Sequence, residues 1–244
     1  SFAGHPPLDL LADLAALAAS SFEAPGAELV ERAARRGAAP AREALDAALR
    51  RDAAALDSAA ARMSAPTELT ASLCELAASP SLRALAGGAA GLLASAPWSR
   101  GWCPVCGAWP LLGELRASDR SRWLRCGLCA SEWAYPRSAC PFCGEGDHRK
   151  LTALSVAGEE DYRRAELCDG CRGYVKSVAR LTPIAAELLP IEDLATGYLD
   201  VLALDAGYAK PSTSPVFPAR GRIRDGTAAE EPAGDGGRTR PGVR

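Results

Sequence analysis

Eight of the nine cysteines of this chain are arranged in four Cys-x-x-Cys pairs. The pairs lie at Cys103 and Cys106, Cys126 and Cys129, Cys140 and Cys143, and Cys168 and Cys171. A Cys-x-x-Cys turn directs both sulfurs toward one point, so two turns complete a tetrahedron of ligands around a metal ion. Segments this short cannot build a core of their own without the ion. The pattern therefore predicts two tetracysteine metal sites.

The order of the pairs favours two units that follow one another along the chain. Cys-Pro-Val-Cys-Gly at 103–107 returns as Cys-Pro-Phe-Cys-Gly at 140–144, and in both copies the glycine can adopt a positive φ. A second pair follows after 19 residues in one copy and 24 in the other, enough for a β-hairpin of the zinc-ribbon or rubredoxin-like kind. We expect Cys103, Cys106, Cys126 and Cys129 to hold one ion, and Cys140, Cys143, Cys168 and Cys171 the other. The alternative is a cross-brace, which joins the first pair with the third and the second with the fourth.

Four thiolate ligands limit the chemistry of each site. Such a site accepts either zinc or iron, and it leaves no open position for water or substrate. The chain has only two histidines, His5 and His148, so few bases are available for a hydrolase triad. We therefore expect no catalytic residue and no enzyme activity. His148 is expected to be an exposed loop residue, and the ninth cysteine, Cys74, a small apolar residue at a helix contact.

Charge is unevenly distributed along the chain, whose net charge is −2. Residues 98–180 carry 13 basic and 10 acidic groups. Eight thiolates around two divalent ions would add −4 and bring this segment to about −1, so the basic residues serve mostly as counter-charge. No apolar stretch approaches the ~20 residues of a membrane span, and no secretory signal is recognisable. The tightly spaced cysteines suit a reducing compartment, and we expect a cytoplasmic protein.

Hydrophobic periodicity predicts an α+β protein with five parts. An alanine-rich helical domain covers residues 1–97, with helices at 8–19 and from Pro40, Pro66 and Ser81. The first rubredoxin-like or zinc-ribbon unit covers residues 98–137 and the second covers 138–182. A C-terminal helix lies within 183–209 and ends at Gly207, and residues 210–244 have the composition of a disordered tail.

The whole pattern resembles the FdhE family of formate dehydrogenase accessory proteins. The resemblance is carried by "CPVCGAWP", "RWLRCGLCASEW", "YPRSACPFCG" and "CDGCRGYVK", in that order and at about those spacings. It extends outward to "GHPPLDLLADLAAL" near the N-terminus and to "EDLATGYLDVLALDAGY" after the second unit, and so spans residues 4 to about 208.

This resemblance implies a cytoplasmic, non-catalytic factor that binds the catalytic subunit of a formate dehydrogenase and is needed for that enzyme to become active before export. It associates the two sites with iron and assigns the eight cysteines as ligands. More loosely, it marks five further residues, which could equally pack the units or balance thiolate charge: Trp133, Arg125, Arg137, Tyr174 and Lys176. A homodimer is left open.

Two other functions remain as alternatives. A zinc-ribbon nucleic-acid binder is suggested by one run of arginines at Arg116, Arg120, Arg122 and Arg125, although the acidity of the chain makes nucleic acid the weaker candidate. A rubredoxin-like electron-transfer protein would use iron at the same cysteines.

Overall fold

The computed structural model describes residues 7–50, 52–95 and 98–211. Helices come first: α1 (Pro7–Phe22), α2 (Ala27–Arg35), α3 (Ala39–Arg50), α4 (Ala53–Met63) and α5 (Thr67–Ser95). Strands follow: β1 (Pro110–Arg116), β2 (Ser121–Cys126), β3 (Glu132–Ala134), β4 (Leu151–Leu154), β5 (Arg163–Cys168) and β6 (Gly173–Arg180). Two short helices, α6 (Leu189–Ala195) and α7 (Gly197–Asp205), end the described part of the chain. The expected α+β architecture, with helices before two cysteine-bearing hairpins, is confirmed.

The five N-terminal helices enclose a core built largely from alanine. Leu11, Val30 and Leu73 are buried in it together with small residues such as Ala44 and Ala59. Because alanine has no side chain beyond Cβ, helices that meet through it can approach closely and fill the space between them. Cys74 is fully buried in the same core, at a helix contact as expected.

Several helix boundaries differ from those expected. The helix expected from Pro40 is divided into α3 and α4, because Asp52 caps α4 by accepting a hydrogen bond from Ala55 N at 3.1 Å. The helices expected from Pro66 and Ser81 are one continuous helix, α5, which runs through Pro80. Helix α2 was not expected, although Gly26, with φ 85° ahead of "AELVERAAR", signals its start.

The two cysteine-bearing units share a single six-stranded sheet. The strand order is β3-β2-β1-β6-β5-β4, and every neighbouring pair is antiparallel except β1 and β6. Each unit contributes three antiparallel strands, β1 to β3 from the first unit and β4 to β6 from the second. The parallel pairing of β1 with β6 joins the two units. Backbone hydrogen bonds therefore connect the units directly, in addition to side-chain packing.

The heads of the two units also touch. A Cβ at Gly101 would lie 1.7 Å from the carbonyl oxygen of Pro141, so only glycine allows this approach. Edge-to-face aromatic contacts continue the interface, with ring centroids 6.4 Å apart for Trp102 and Trp109 and 5.2 Å apart for Trp109 and Phe142. The second unit is thereby held against the first on the cysteine side of the sheet.

The C-terminal helix was expected to be continuous, but Thr196 divides it into α6 and α7. Thr196 is fully buried, and its Oγ1 donates a hydrogen bond to the carbonyl of Glu192 at 2.7 Å. Beyond α7, Gly207 has φ 81°, which is the left-handed cap expected from the sequence. Within the described ranges, no helix has both the length and the apolar composition needed to cross a bilayer. The tail expected to be disordered lies, from residue 212 on, outside the described residues.

Candidate metal centres

The four cysteines of the first unit converge at the end of the β1–β2 hairpin. Cys103 Sγ lies 3.4 Å from Cys129 Sγ, and Cys106 Sγ lies 3.4 Å from Cys126 Sγ. All four sulfurs lie within 4.8 Å of one another. The structure therefore joins the first pair with the second, in agreement with sequential units and against a cross-brace.

The remaining four cysteines converge in the same way beside β5 and β6. Cys140 Sγ lies 3.7 Å from Cys171 Sγ, and Cys143 Sγ lies 3.7 Å from Cys168 Sγ, again with all four sulfurs within 4.8 Å of one another. The two groups are equivalent in connectivity, since in each the outer cysteines of the unit pair with each other and so do the inner ones.

All four Cys-x-x-Cys turns have the same backbone. In each, the amide of the residue after the second cysteine donates to the carbonyl of the first cysteine, at 2.8–3.1 Å. That residue always has a positive φ, and the four are Gly107 (68°), Ala130 (60°), Gly144 (77°) and Arg172 (58°). A positive φ was expected at the two glycines only. Ala130 and Arg172 hold the left-handed conformation at a cost of about 1 kcal/mol each, so the turn geometry is imposed by the fold as a whole.

The residues present fit a tetrahedrally bound ion. With metal–sulfur bonds of about 2.3 Å, neighbouring sulfurs of a tetrahedron are separated by about 3.8 Å, close to the distances at both groups. Backbone amides also point at the sulfurs, with Val105 N 3.4 Å from Cys103 Sγ and Phe142 N 3.4 Å from Cys140 Sγ. Each group can therefore hold one metal ion, and four sulfurs do not distinguish zinc from iron.

Hydrogen bonds between the thiols and burial give the cysteines of each group different pKa values. At the first group, the hydrogen bond with Cys103 raises the pKa of Cys106 and of Cys126, while the bond with Cys106 lowers the pKa of Cys103. At the second group, burial raises the pKa of Cys171 to about 11. A bound cation would favour all four thiolates at once, so metal binding releases protons.

The two groups differ sharply in exposure. At the first, Cys103, Cys126 and Cys129 are at most 2 % exposed and Cys106 is half-buried. At the second, Cys140 and Cys168 are buried, whereas Cys143 and Cys171 are exposed. One group is enclosed by protein and the other opens to solvent on one side.

The run of arginines that suggested a nucleic-acid surface is largely committed to carboxylates inside the protein. Arg116 Nε lies 2.7 Å from Glu114, Arg125 bonds the other oxygen of Glu114, and Arg122 Nη1 lies 2.8 Å from Glu166. The side chains of all three arginines are at most 10 % exposed. Arg120, which is more exposed, lies 3.6 Å from Asp161. These side chains support the sheet and do not form a free basic patch.

Four of the five residues marked loosely by the family resemblance make structural contacts. Trp133 is buried in the cluster that contains the first group's cysteines, and Arg125 also donates to the carbonyl of Ile184 at 2.7 Å. Tyr174 Oη donates to Asp200 at 2.8 Å, and Lys176 Nζ lies 2.6 Å from both Asp193 and Asp200. Arg137 is exposed and makes no hydrogen bond or ion pair with any described residue. The Arg125, Tyr174 and Lys176 side chains are thus bonded to oxygen atoms of the protein, and balancing of thiolate charge by them stays a prediction.

Three carboxylates were missed from the sequence. Glu114 is fully buried in β1 with Arg116 and Arg125, and Asp193 and Asp200 receive Lys176 from the sheet. A single glutamate within the buried strand "PLLGELR" is the signal that could have revealed Glu114, because a charge on a buried strand needs a partner. Nothing local marks the two aspartates, which lie on short helices far along the chain from Lys176.

A helical part followed by two tetracysteine hairpins in one sheet defines a protein of the tandem zinc-ribbon class. Two family models match within it: "FdhE, central domain" over residues 102–137 and "FdhE, C-terminal domain" over residues 139–217. Together the matched segments contain all eight paired cysteines. These segments of the chain are therefore similar to the central and C-terminal domains of FdhE, and residues 1–101 lie outside both matches.

The chain is also similar to individual FdhE proteins. The chain is 37 % identical over 120 residues to the FdhE homologue of Pseudomonas aeruginosa, an alignment that covers 47 % of this chain and 38 % of the relative. It is 34 % identical over 125 residues to FdhE of Escherichia coli, covering 50 % of this chain and 40 % of the relative. These alignments span well under half of each relative. The crystal structure of the FdhE protein from Pseudomonas aeruginosa is 32 % identical, with a TM-score of 0.46 and coverage of 61 % of this chain and 51 % of that one.

Proposed function

We propose that this protein is an accessory factor for the maturation of a formate dehydrogenase, that it acts in the cytoplasm, and that it binds the catalytic subunit of that enzyme before export. The observation that carries the proposal is the match of residues 102–217 to the two FdhE domain models, because the matched segments include both tetracysteine groups. The protein is proposed to hold one ion of iron or zinc at each group and to have no catalytic activity of its own.

The geometry of the centres supports a binding role. Each ion would be surrounded by four protein sulfurs, which leaves no coordination position for a substrate or an activated water. Bound ions would therefore act by shaping the surface that a partner meets. The buried arginines argue in the same direction, because they remove the basic patch that a nucleic-acid binder would require.

The proposal is tested in a host that makes a formate dehydrogenase and carries a deletion of its own accessory gene. Complementation with the wild-type protein is expected to restore formate dehydrogenase activity, and a tagged copy is expected to co-purify with the catalytic subunit. The double variant Cys103→Ser, Cys140→Ser should fail in both assays. Cys74→Ser is the matched control, because it alters a cysteine that lies outside both groups, and it should behave as the wild type. Failure of the wild-type protein to restore activity, with no catalytic subunit co-purified, would overturn the proposal.

The exposure of Cys143 and Cys171 favours electron transfer as a second candidate, since an electron could enter the second centre through these sulfurs. This function requires iron. Protein purified without oxygen should then show a visible spectrum that bleaches on reduction and returns on oxidation. Stoichiometric zinc in a colourless protein would exclude it.

A further inference from the structure

The two tetracysteine groups differ in what surrounds them as well as in exposure. Helix α5 lies against the first group, where Leu82 and Ala86 join the same apolar cluster as Cys103 and Cys129. Ser79 Oγ, also on α5, donates to the carbonyl of Leu128, inside the second cysteine turn, at 2.8 Å. The first group is thus part of the contact between the helices and the sheet, and reaching its sulfurs requires that contact to open.

Among the residues that the structure describes, none forms a comparable cover over the outer side of the second group. Cys143 and Cys171 are exposed, and the space next to Gly144 is open, because a Cβ there would have no neighbour within 4 Å. The polar residues beside this group pair with each other at the surface, as Lys150 does with Glu145 at 2.9 Å. A small reagent can therefore approach two of the four sulfurs without any movement of the backbone.

Contacts that do not involve the sulfurs fix the last cysteine turn. Arg172, which directly follows Cys171, donates to the carbonyl of Ala206 at 2.9 Å at the end of α7. The guanidinium of Arg172 also stacks on Tyr208 at 3.8 Å, and Ala209 N donates to the carbonyl of Arg172 at 2.9 Å. Together with the β5–β6 pairing, these contacts keep the turn folded whether or not the four sulfurs share an ion.

We infer that the two centres have different roles: the first is a permanent structural clamp, and the second is an exchangeable centre whose Cys143 and Cys171 sulfurs react with solutes and give up their ion while the protein remains folded. The inference concerns the purified chain, so it stands or falls independently of the proposed role in formate dehydrogenase maturation.

The test follows both centres in one sample. The full-length protein, purified without oxygen and carrying two ions, is mixed with EDTA and iodoacetamide at neutral pH, and portions are taken over time for metal analysis and peptide mass spectrometry. One equivalent of metal should leave in a fast phase while the far-UV circular dichroism is unchanged. Cys143 and Cys171 should be alkylated at least about ten times faster than Cys103, Cys126 and Cys129. This ratio corresponds to a difference of about 1.4 kcal/mol in the activation barrier. Equal rates at the two groups, or first-group labelling ahead of second-group labelling, would overturn the inference.

Cys143→Ser and Cys106→Ser form a matched pair, because each replaces the second cysteine of the leading turn of its unit. The Cys143→Ser protein should retain one ion and normal hydrogen-exchange protection in α5 and β1. The Cys106→Ser protein should lose protection in α5 and β1 or fail to fold. A Cys143→Ser protein that unfolds, or a Cys106→Ser protein with full protection of these elements, would contradict the assigned roles.

Discussion

Arg122 on β2 and Glu166 on β5 form an ion pair at 2.8 Å although two strands, β1 and β6, lie between them in the sheet. The arginine side chain crosses a part of the sheet surface formed by small residues: a Cβ at Gly113 would lie 3.7 Å from Arg122 Cδ and 2.9 Å from Ser177 Oγ. Arg122 also donates to the carbonyls of Pro136 and Ala139, in the connection between the units. One residue therefore bonds the first unit to the second and to the segment that joins them.

Replacement of Arg122 by methionine should remove these contacts and lower the free energy of unfolding. The variant leaves Glu166, whose side chain is 16 % exposed, with only Arg164 as a partner, so the loss should not exceed the about 3–5 kcal/mol typical of a fully buried pair. Urea unfolding of metal-loaded protein measures the loss. Arg149→Met, which removes an exposed pair with Asp147, is the control and should leave the unfolding midpoint unchanged. Equal midpoints for the two variants would show that the bridge contributes nothing.

Acid should weaken the same bridge. Burial by itself would raise the pKa of Glu166, but the charges of Arg122 and Arg164 outweigh it and hold the pKa below the ordinary value of 4.5. The pair therefore stabilises the fold fully above about pH 4.5, and this contribution is lost as the pH falls through the lowered pKa. Unfolding midpoints measured from pH 7 downward should decline less steeply in Arg122→Met than in the wild type. Parallel curves would contradict the assignment.

Lys176→Met should loosen α6 and α7 from the sheet. Lys176 is fully buried and lies 2.6 Å from Asp193 on α6 and from Asp200 on α7, so it joins both helices to β6. We expect a loss of about 3 kcal/mol and faster amide exchange over residues 189–205. Lys210→Met, which removes a longer 3.3 Å contact with Asp200, should have a clearly smaller effect. Unchanged exchange in the Lys176 variant would mean that the remaining contacts hold the helices without this lysine.

Alanine substitutions at Gly101 and Gly88 should change the stability of the protein in opposite directions. Gly101→Ala places a methyl group 1.7 Å from the Pro141 carbonyl oxygen, so backbone must move and the variant should lose about 3 kcal/mol or more. Gly88→Ala lies in α5 with open space around the added carbon, and should gain up to about 1 kcal/mol from helix propensity. Thermal unfolding compares the two. A harmless Gly101→Ala would show that the units do not touch at Pro141.

Cys74 should be unreactive in the native protein. Burial raises the pKa of its thiol to about 12, with a smaller contribution from the nearby charge of Glu75, so almost no thiolate exists at neutral pH. Iodoacetamide at pH 8 should label Cys74 only after denaturant is added. Labelling in native buffer at a rate similar to that in denaturant would show that the helical core opens readily.

The sequence by itself predicted the number of sites and their eight candidate ligands, and it favoured sequential pairing over a cross-brace. These follow from local chemistry, because a Cys-x-x-Cys turn specifies its own backbone and the repeated Cys-Pro-x-Cys-Gly marks where each unit begins. The presence of helices before the cysteines was also predictable, because hydrophobic periodicity is a local property of the sequence. The helix ends at Asp52 and Thr196 were not predicted, since one or two hydrogen bonds of a single side chain set each of them.

Only the tertiary structure decided how the two sites differ. The parallel pairing of β1 with β6, the bridge from Arg122 to Glu166 and the approach of α5 to the first site join residues that are far apart in the chain, and no local pattern encodes them. The ligand sets of the two sites are the same in the sequence. Their unequal exposure arises because α5 packs against the first site, and the position of that helix depends on the packing of the whole chain.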